Sequence, residues 1–167
     1  MSVQRGFSLL ETMLVVVIIG VFASSMLLPY TYGAKAQQDG NDRVLAMKLA
    51  SDMLEYVLCH RFFDPDPSAA PYSPGPDSDI EASNRPFQFD NIDDFHGYTE
   101  SEGQLRHLHG DAVDGEQYRY FSREVRCEYT SFLPPEPCSS DCLYILITVK
   151  VFKDGREYAS LQKLMGR

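Results

Sequence analysis

From Phe7 to Leu28 the chain runs for 22 residues with a single charge, Glu11. At about 1.5 Å per helical residue such a segment is about 33 Å long, enough to cross a bilayer core of about 30 Å. The β-branched run Val15 to Ile19 forms helix poorly in water, but lipid forces backbone hydrogen bonds inward and overrides that preference. Beyond it, Pro29 removes a backbone donor and predicts a kink, and Gly33 and Gly40 weaken the helix further. From Asn41 the pattern changes to "NDRVLAMKLASDMLEYVLCHRFF". Leu45, Leu49, Met53, Tyr56 and Val57 fall on one stripe, and Arg43, Lys48, Asp52 and Glu55 mostly on the other. This predicts an amphipathic helix whose apolar face needs a cover.

The periodicity stops at residues 64–84, "DPDPSAAPYSPGPDSDIEASN", where five prolines and several aspartates predict a long loop. The acidic cluster that follows, Asp90, Asp93, Asp94, Glu100 and Glu102, offers oxygens of the kind calcium takes. Its spacing is not that of an EF-hand, so a solvated acidic turn is the preferred reading. Alternation returns near the C-terminus in "QYRYFSREVRCEY" and "LYILITVKVF"; "KDGR" then supplies an Asp-Gly hairpin turn and "EYASLQKLM" the returning strand. At least three antiparallel strands are implied. Ile145, Ile147, Val149 and Val151 share one face and are expected to cover the helical stripe. The result is an α+β fold with a long N-terminal helix, transmembrane in its first half, packed on a C-terminal antiparallel sheet.

Composition and charge narrow the function. At 167 residues, 44% hydrophobic and 12% aromatic, the chain holds ample material for one folded core. A net charge of −9 without clustered Lys or Arg argues against a nucleic-acid surface. Arg5 and the initiator amine precede the apolar segment, which sets the N-terminus in the cytoplasm and the remainder across the membrane, although Lys35 and Arg43 on the other flank weaken the bias. Three readings of the segment compete. A cleaved secretory signal has Ala34-Lys35-Ala36 as its small-x-small site, but hydrophobic regions of such signals usually span about 7 to 15 residues. A plain anchor leaves Glu11 without a purpose. The third takes "GFSLLE" as the signal itself.

A short leader ending in Gly6, then Phe-Ser-Leu-Leu-Glu, then some twenty apolar residues resembles the N-terminus of type IV prepilins and of type II secretion pseudopilins. The resemblance implies cleavage between Gly6 and Phe7 by a prepilin peptidase, N-methylation of Phe7, and a role for Glu11 in assembly. It also implies a pilin-like fold, a proline near the depth of Pro29, and as partners other pilin or pseudopilin subunits and an inner-membrane assembly platform. The stretch "DNIDDFHGY" further resembles minor pilins of the mannose-sensitive haemagglutinin class. Physical chemistry gives Glu11 the same part. A carboxylate in the first helical turn gains about 0.3–1 kcal/mol from the macrodipole, whereas a charge at the bilayer centre costs at least about 2.5 kcal/mol. The amine created at Phe7, on the same chain or on a neighbour, supplies the countercharge, and pairing between neighbours rewards leaving the lipid for a bundle.

For a translocated chain, Cys59, Cys127, Cys138 and Cys142 read as disulfide candidates with three possible pairings. Cys138 and Cys142 close the small loop "CSSDC", which leaves Cys59 to meet Cys127; a zinc site is the weaker reading, since no second pair matches the C-x3-C spacing. Pilin-like proteins often staple the C-terminal region with one disulfide, whereas here a full hairpin follows the last cysteine. Cys59-His60 point in different directions on a helix, and His107 and His109 lack a defined third ligand, so neither catalysis nor a cofactor or metal is expected. The expected organisation is a leader at 1–6, a membrane and assembly helix at 7–28, a kinked stem and amphipathic helix at 29–63, an acidic Pro-rich loop region at 64–116 and the sheet at 117–167. The expected protein is a minor prepilin-like subunit held as a single pass in the inner membrane, its head in the periplasm, until drawn into a pilus or pseudopilus fibre. The alternative is a secreted or anchored extracytoplasmic binding domain that uses the segment only for export.

Overall fold

The computed structural model describes residues 8–62, 74–76, 85–107, 111–113, 115–131 and 142–166. The chain divides into two compact units, Met1–Asn41 and Asp42–Arg167.

In the first unit the helix α1 (Leu9–Leu58) contributes its N-terminal part, and every described side chain up to Gln38 is exposed. The helix is uninterrupted through Pro29, Gly33 and Gly40. The polar residues of the apolar stretch satisfy themselves within it. Thr12 Oγ1 donates to the Leu9 carbonyl at 2.8 Å, Ser24 to Gly20 at 2.8 Å, Ser25 to Phe22 at 2.8 Å and Thr31 to Leu28 at 2.9 Å. Back-bonded hydroxyls need no water, as a helix able to enter lipid requires.

In the second unit the rest of α1 meets a four-stranded antiparallel sheet of β1 (Thr99–Glu100), β2 (Phe121–Thr130), β3 (Tyr144–Lys153) and β4 (Arg156–Gly166), in the order β1-β2-β3-β4. β2 and β3 pair along their whole length, Phe121 opposite Lys153 and Thr130 opposite Tyr144. The turn joining β3 to β4 is the expected one. Asp154 and Gly155 both adopt positive φ, 50° and 73°, the combination a two-residue hairpin needs to match strand twist. Gly155 takes that conformation without strain, and Asp is among the few other residues that tolerate it.

The expected core is present. Ile145, Ile147, Val149 and Val151 are fully buried, and against them lie Leu49, Met53 and Val57 of α1. Each such side chain contributes about 1.5–3 kcal/mol of transfer free energy. Ala46 and Ala50 are buried as well, and Leu45 and Tyr56 sit half-buried at the margin of the stripe. Lys153 Nζ reaches Asp42 Oδ2 at 2.5 Å, tying the β3–β4 hairpin to the start of this part of the helix.

Three expectations change. The region 64–116 is not wholly loop: its described part contains β1 and 3-10 turns at Pro86–Gln88 and Asp93–Phe95. The acidic cluster is solvated only in part, because Asp90 and Glu102 are exposed whereas Asp93, Asp94 and Glu100 are buried. Cys59 and Cys127 are free thiols, so the pairing that would join them is overturned. Cys59 is exposed at the end of α1, whereas Cys127 faces the core and donates its thiol to the Ile92 carbonyl at 3.2 Å. Cys138 lies outside the described residues, and Cys142 is buried.

Candidate functional site

The candidate assembly element is the N-terminal part of α1. Its helical bonding starts at Ser8, whose carbonyl accepts from the amides of Glu11 at 3.0 Å and Thr12 at 3.2 Å. Glu11 therefore stands in the first turn, exposed, where the macrodipole favours an acid. Gly6 and Phe7 lie outside the described residues. The helix contains an 18-residue window of mean hydropathy 2.3, none of it buried, so by length and composition it can cross a membrane. Leu9, Leu10, Val16, Phe22 and Leu28 are all more than 60% exposed, a continuous apolar surface among the described residues.

The buried acids of the head are held by two polar knots that the sequence did not reveal. In the first, Asn91 Oδ1 accepts from the amides of Asp93 at 2.9 Å and Asp94 at 3.1 Å. Asp94 Oδ2 returns the arrangement by accepting from the amides of Asp90 at 3.0 Å and Asn91 at 3.2 Å. Asp93 Oδ2 accepts from the Tyr129 hydroxyl at 2.9 Å, fastening the turn to β2. His96 Nδ1 donates to the Cys127 carbonyl at 2.5 Å. These acids hold backbone amides and a phenol, which is structural work.

The second knot centres on Arg123. Its position in β2 faces the core, and its guanidinium forms an ion pair with Glu100 in which both side chains are under 5% exposed. The same guanidinium donates to the Leu49 carbonyl of α1 at 3.4 Å and to the Arg106 carbonyl at 2.6 Å. Glu100 Oε1 accepts from the Tyr98 hydroxyl at 2.8 Å and from the Arg106 amide at 3.3 Å. One arginine thus joins helix, sheet and the connecting segment. Its signal was in the alternation: Phe121, Arg123, Val125, Cys127 and Tyr129 share a face, so a charge at the second of these positions demands a buried partner.

Both knots carry a consequence for alkaline pH. Burial, then the Glu100 charge and its hydrogen bond, push the Tyr98 phenol well above its ordinary 10.0, with Arg123 and Arg106 opposing. Burial, then the charges of Asp93, Asp94 and Glu128, push the Cys127 thiol above its ordinary 9.0. A raised native value means that the folded protein keeps protons the unfolded chain releases. The contribution is complete below the ordinary values and is lost as pH rises past them. Thermal unfolding followed by circular dichroism should therefore show stability flat up to about pH 9 and falling beyond. Tyr98→Phe should flatten the part of that fall above about pH 10. Thiol reactivity should split the same way, with iodoacetamide modifying Cys59 in the native protein and Cys127 only after denaturation.

The remaining candidates are accounted for structurally. His60 Nδ1 donates to the Tyr56 carbonyl at 3.0 Å, and its ring packs edge-on against Tyr56 and Phe95, so it does not serve Cys59 as a base. The His107 amide donates to the Asp111 carbonyl at 2.7 Å, and His109 lies outside the described residues. Among the described residues no group of three or more His, Cys, Asp or Glu is arranged to hold a metal ion.

Comparison with known proteins bears on the N-terminus. Neither the curated proteins nor the solved structures returned a match to this chain. A family model described as the prokaryotic N-terminal methylation motif matches residues 1–27, a span that includes Gly6, Phe7 and Glu11 and stops short of the head. The match does not reach the mannose-sensitive haemagglutinin subclass. Residues 1–27 therefore carry the signature of prepilins and pseudopilins, at the front of an α+β, pilin-like arrangement of one long apolar helix and a four-stranded antiparallel sheet.

Proposed function

We propose that this chain is a minor prepilin-like structural subunit of a type IV pilus or a type II secretion pseudopilus. The observation that carries the reading is the methylation motif at the front of a helix whose 18-residue apolar window is not buried. On this reading a prepilin peptidase removes residues 1–6 after Gly6 and Phe7 becomes N-methylated. The chain waits as a single pass in the inner membrane with its head in the periplasm, and the assembly platform then draws it into a fibre with other pilin or pseudopilin subunits. Glu11 pairs with the Phe7 amine of a neighbour, which neutralises a charge that lipid disfavours. A minor rather than a major role is supported by the long Pro-rich and acidic sequence at 64–84, which would disturb close repetition along a shaft. The work is structural and not enzymatic.

We also pair Cys138 with Cys142. The short C-x3-C spacing of "CSSDC" and the free thiols of Cys59 and Cys127 support that pairing. The loop so closed precedes β3 and leaves the hairpin beyond it unstapled.

Assembly is tested by placing a photoreactive residue at Val16 or Ile19 and irradiating native membranes and sheared fibres. The reading expects adducts with other chains that carry the same type of N-terminal segment. Adducts with lipid alone, in fibre and membrane fractions alike, would make the segment a simple anchor.

A further inference from the structure

We propose that Lys153 and Asp42 form a latch that keeps the head's part of α1, residues 42–58, helical when the stretch before it unwinds. The helix is continuous from Leu9 to Leu58, yet its middle carries the residue types that begin a helix.

Residues 29–41 read "PYTYGAKAQQDGN", and Pro29, Gly33 and Gly40 are of the types that a helix interior tolerates least. Every side chain from 29 to 38 is exposed, so packing among the described residues does not compensate for them. A helical stretch of that length without packing is marginal in water. At its end stand Asp39, Asn41 and Asp42. Asn and Asp are preferred caps of helix N-termini, and an acid in the first turn complements the macrodipole. When the stretch unwinds, Asn41 becomes the cap of a new helix start and Asp42 its first-turn acid. The division of the chain into two compact units falls at the same place, between Asn41 and Asp42.

Ala46 is the first buried residue of α1, a full turn beyond Asp42. Ahead of it the head reaches the helix through Lys153, whose Nζ meets Asp42 Oδ2 at 2.5 Å, with the two side chains 14% and 18% exposed. The lysine is held in place by its own surroundings. Its ammonium lies 5.4 Å from the ring centroid of the buried Phe121, and the amide of the next residue, Asp154, donates to the Tyr120 carbonyl at 3.2 Å. The start of β2 and the β3–β4 turn thus fix the ammonium, and little rotamer freedom is lost in reaching the carboxylate. Unwinding does not remove the partner, because an anion in the first turn of the new start is favoured by the helix itself.

Such a latch separates two mechanical duties. The first half of α1 can leave lipid, bend or extend while Leu49, Met53 and Val57 keep their places in the core. Asp42 and Lys153 both belong to the second unit and lie outside the apolar segment, so the proposal can fail without touching the fibre reading.

The test is amide hydrogen exchange, resolved along the chain by mass spectrometry, on the full-length protein in detergent micelles at neutral pH. In the wild type, amides 31–41 should exchange at least about tenfold faster than amides 50–57. Lys153→Met keeps most of the apolar stem and removes the charge. It should extend the fast region, with amides 42–49 speeding up about tenfold for the loss of one charge-assisted contact and amides 50–57 staying slow. Lys153→Arg should restore the wild-type pattern. Uniformly slow exchange from 31 to 57 in the wild type would show that α1 holds no latent start. Unchanged exchange at 42–49 in Lys153→Met would show that packing alone sets the boundary, and an equal loss over all of 42–57 would make the pair an ordinary contact of the fold. Any of these results, or a Lys153→Arg protein that behaves like Lys153→Met, would overturn the proposal.

Discussion

Glu11→Gln is expected to leave membrane insertion and leader removal intact and to lower the amount of this subunit in fibres by more than about tenfold. The substitution keeps the size and hydrogen-bonding shape of the side chain and removes only its charge. Insertion depends on the apolar run after it, which a neutral first-turn residue does not disturb. Assembly, on the proposed reading, depends on the charge twice. An unpaired carboxylate makes the lipid-embedded monomer less favourable, and pairing with a neighbour's Phe7 amine makes the bundle more so. A bias of about 1.4 kcal/mol already amounts to tenfold, and the cost of a carboxylate deeper in lipid exceeds that. Quantitative immunoblotting of sheared fibres against membrane fractions measures the ratio. An unchanged ratio would remove Glu11 from the assembly mechanism and leave its first-turn position as helix stabilisation alone.

The largest effect on the fold is expected at Arg123. Arg123→Met removes the guanidinium and leaves Glu100 buried, with Tyr98 and the Arg106 amide as its remaining donors. Breaking a buried ion pair from one side costs about 3–5 kcal/mol, because the surviving charge cannot be solvated. For a head of this size the melting temperature should fall by on the order of 10 °C. The loss has a second component, since the Leu49 and Arg106 carbonyls also lose their donor. The double variant Arg123→Met with Glu100→Leu should recover much of the loss, because it strands no charge and fills the space with apolar atoms. A double variant no more stable than Arg123→Met would mean that the network acts through its link to the helix and not through charge compensation. Thermal denaturation of the three proteins decides it.

The contrast between these two sites shows what a sequence displays and what it hides. β3 was legible because its inward residues are all β-branched and apolar in strict alternation, and the hairpin after it because Asp-Gly is the chemistry a two-residue turn requires. The helical stripe was legible at Leu49, Met53 and Val57. It missed Ala46 and Ala50, since small side chains carry little hydrophobic signal even where they are fully buried. Asp93 and Asp94 misled because acidic residues near prolines and glycines read as surface. Their burial depends on Asn91 capping their amides and on Tyr129 arriving from a strand nearly forty residues away. Cysteine spacing failed for Cys59 and Cys127 for a related reason: a disulfide depends on where the fold places each thiol, and one is exposed at the helix end while the other is buried facing the core. The N-terminal methylation motif was legible because leader, glycine, aromatic, glutamate and apolar run are consecutive and need no tertiary contact to be recognised.

The most direct test of the central claim is the intact mass and N-terminal sequence of the protein recovered from membranes of its native host. The account expects a chain that begins at Phe7 and carries one added methyl group on its amine. A chain that begins at Gln37, or one that retains Met1, would contradict prepilin processing and would make the apolar segment an export signal or a plain anchor.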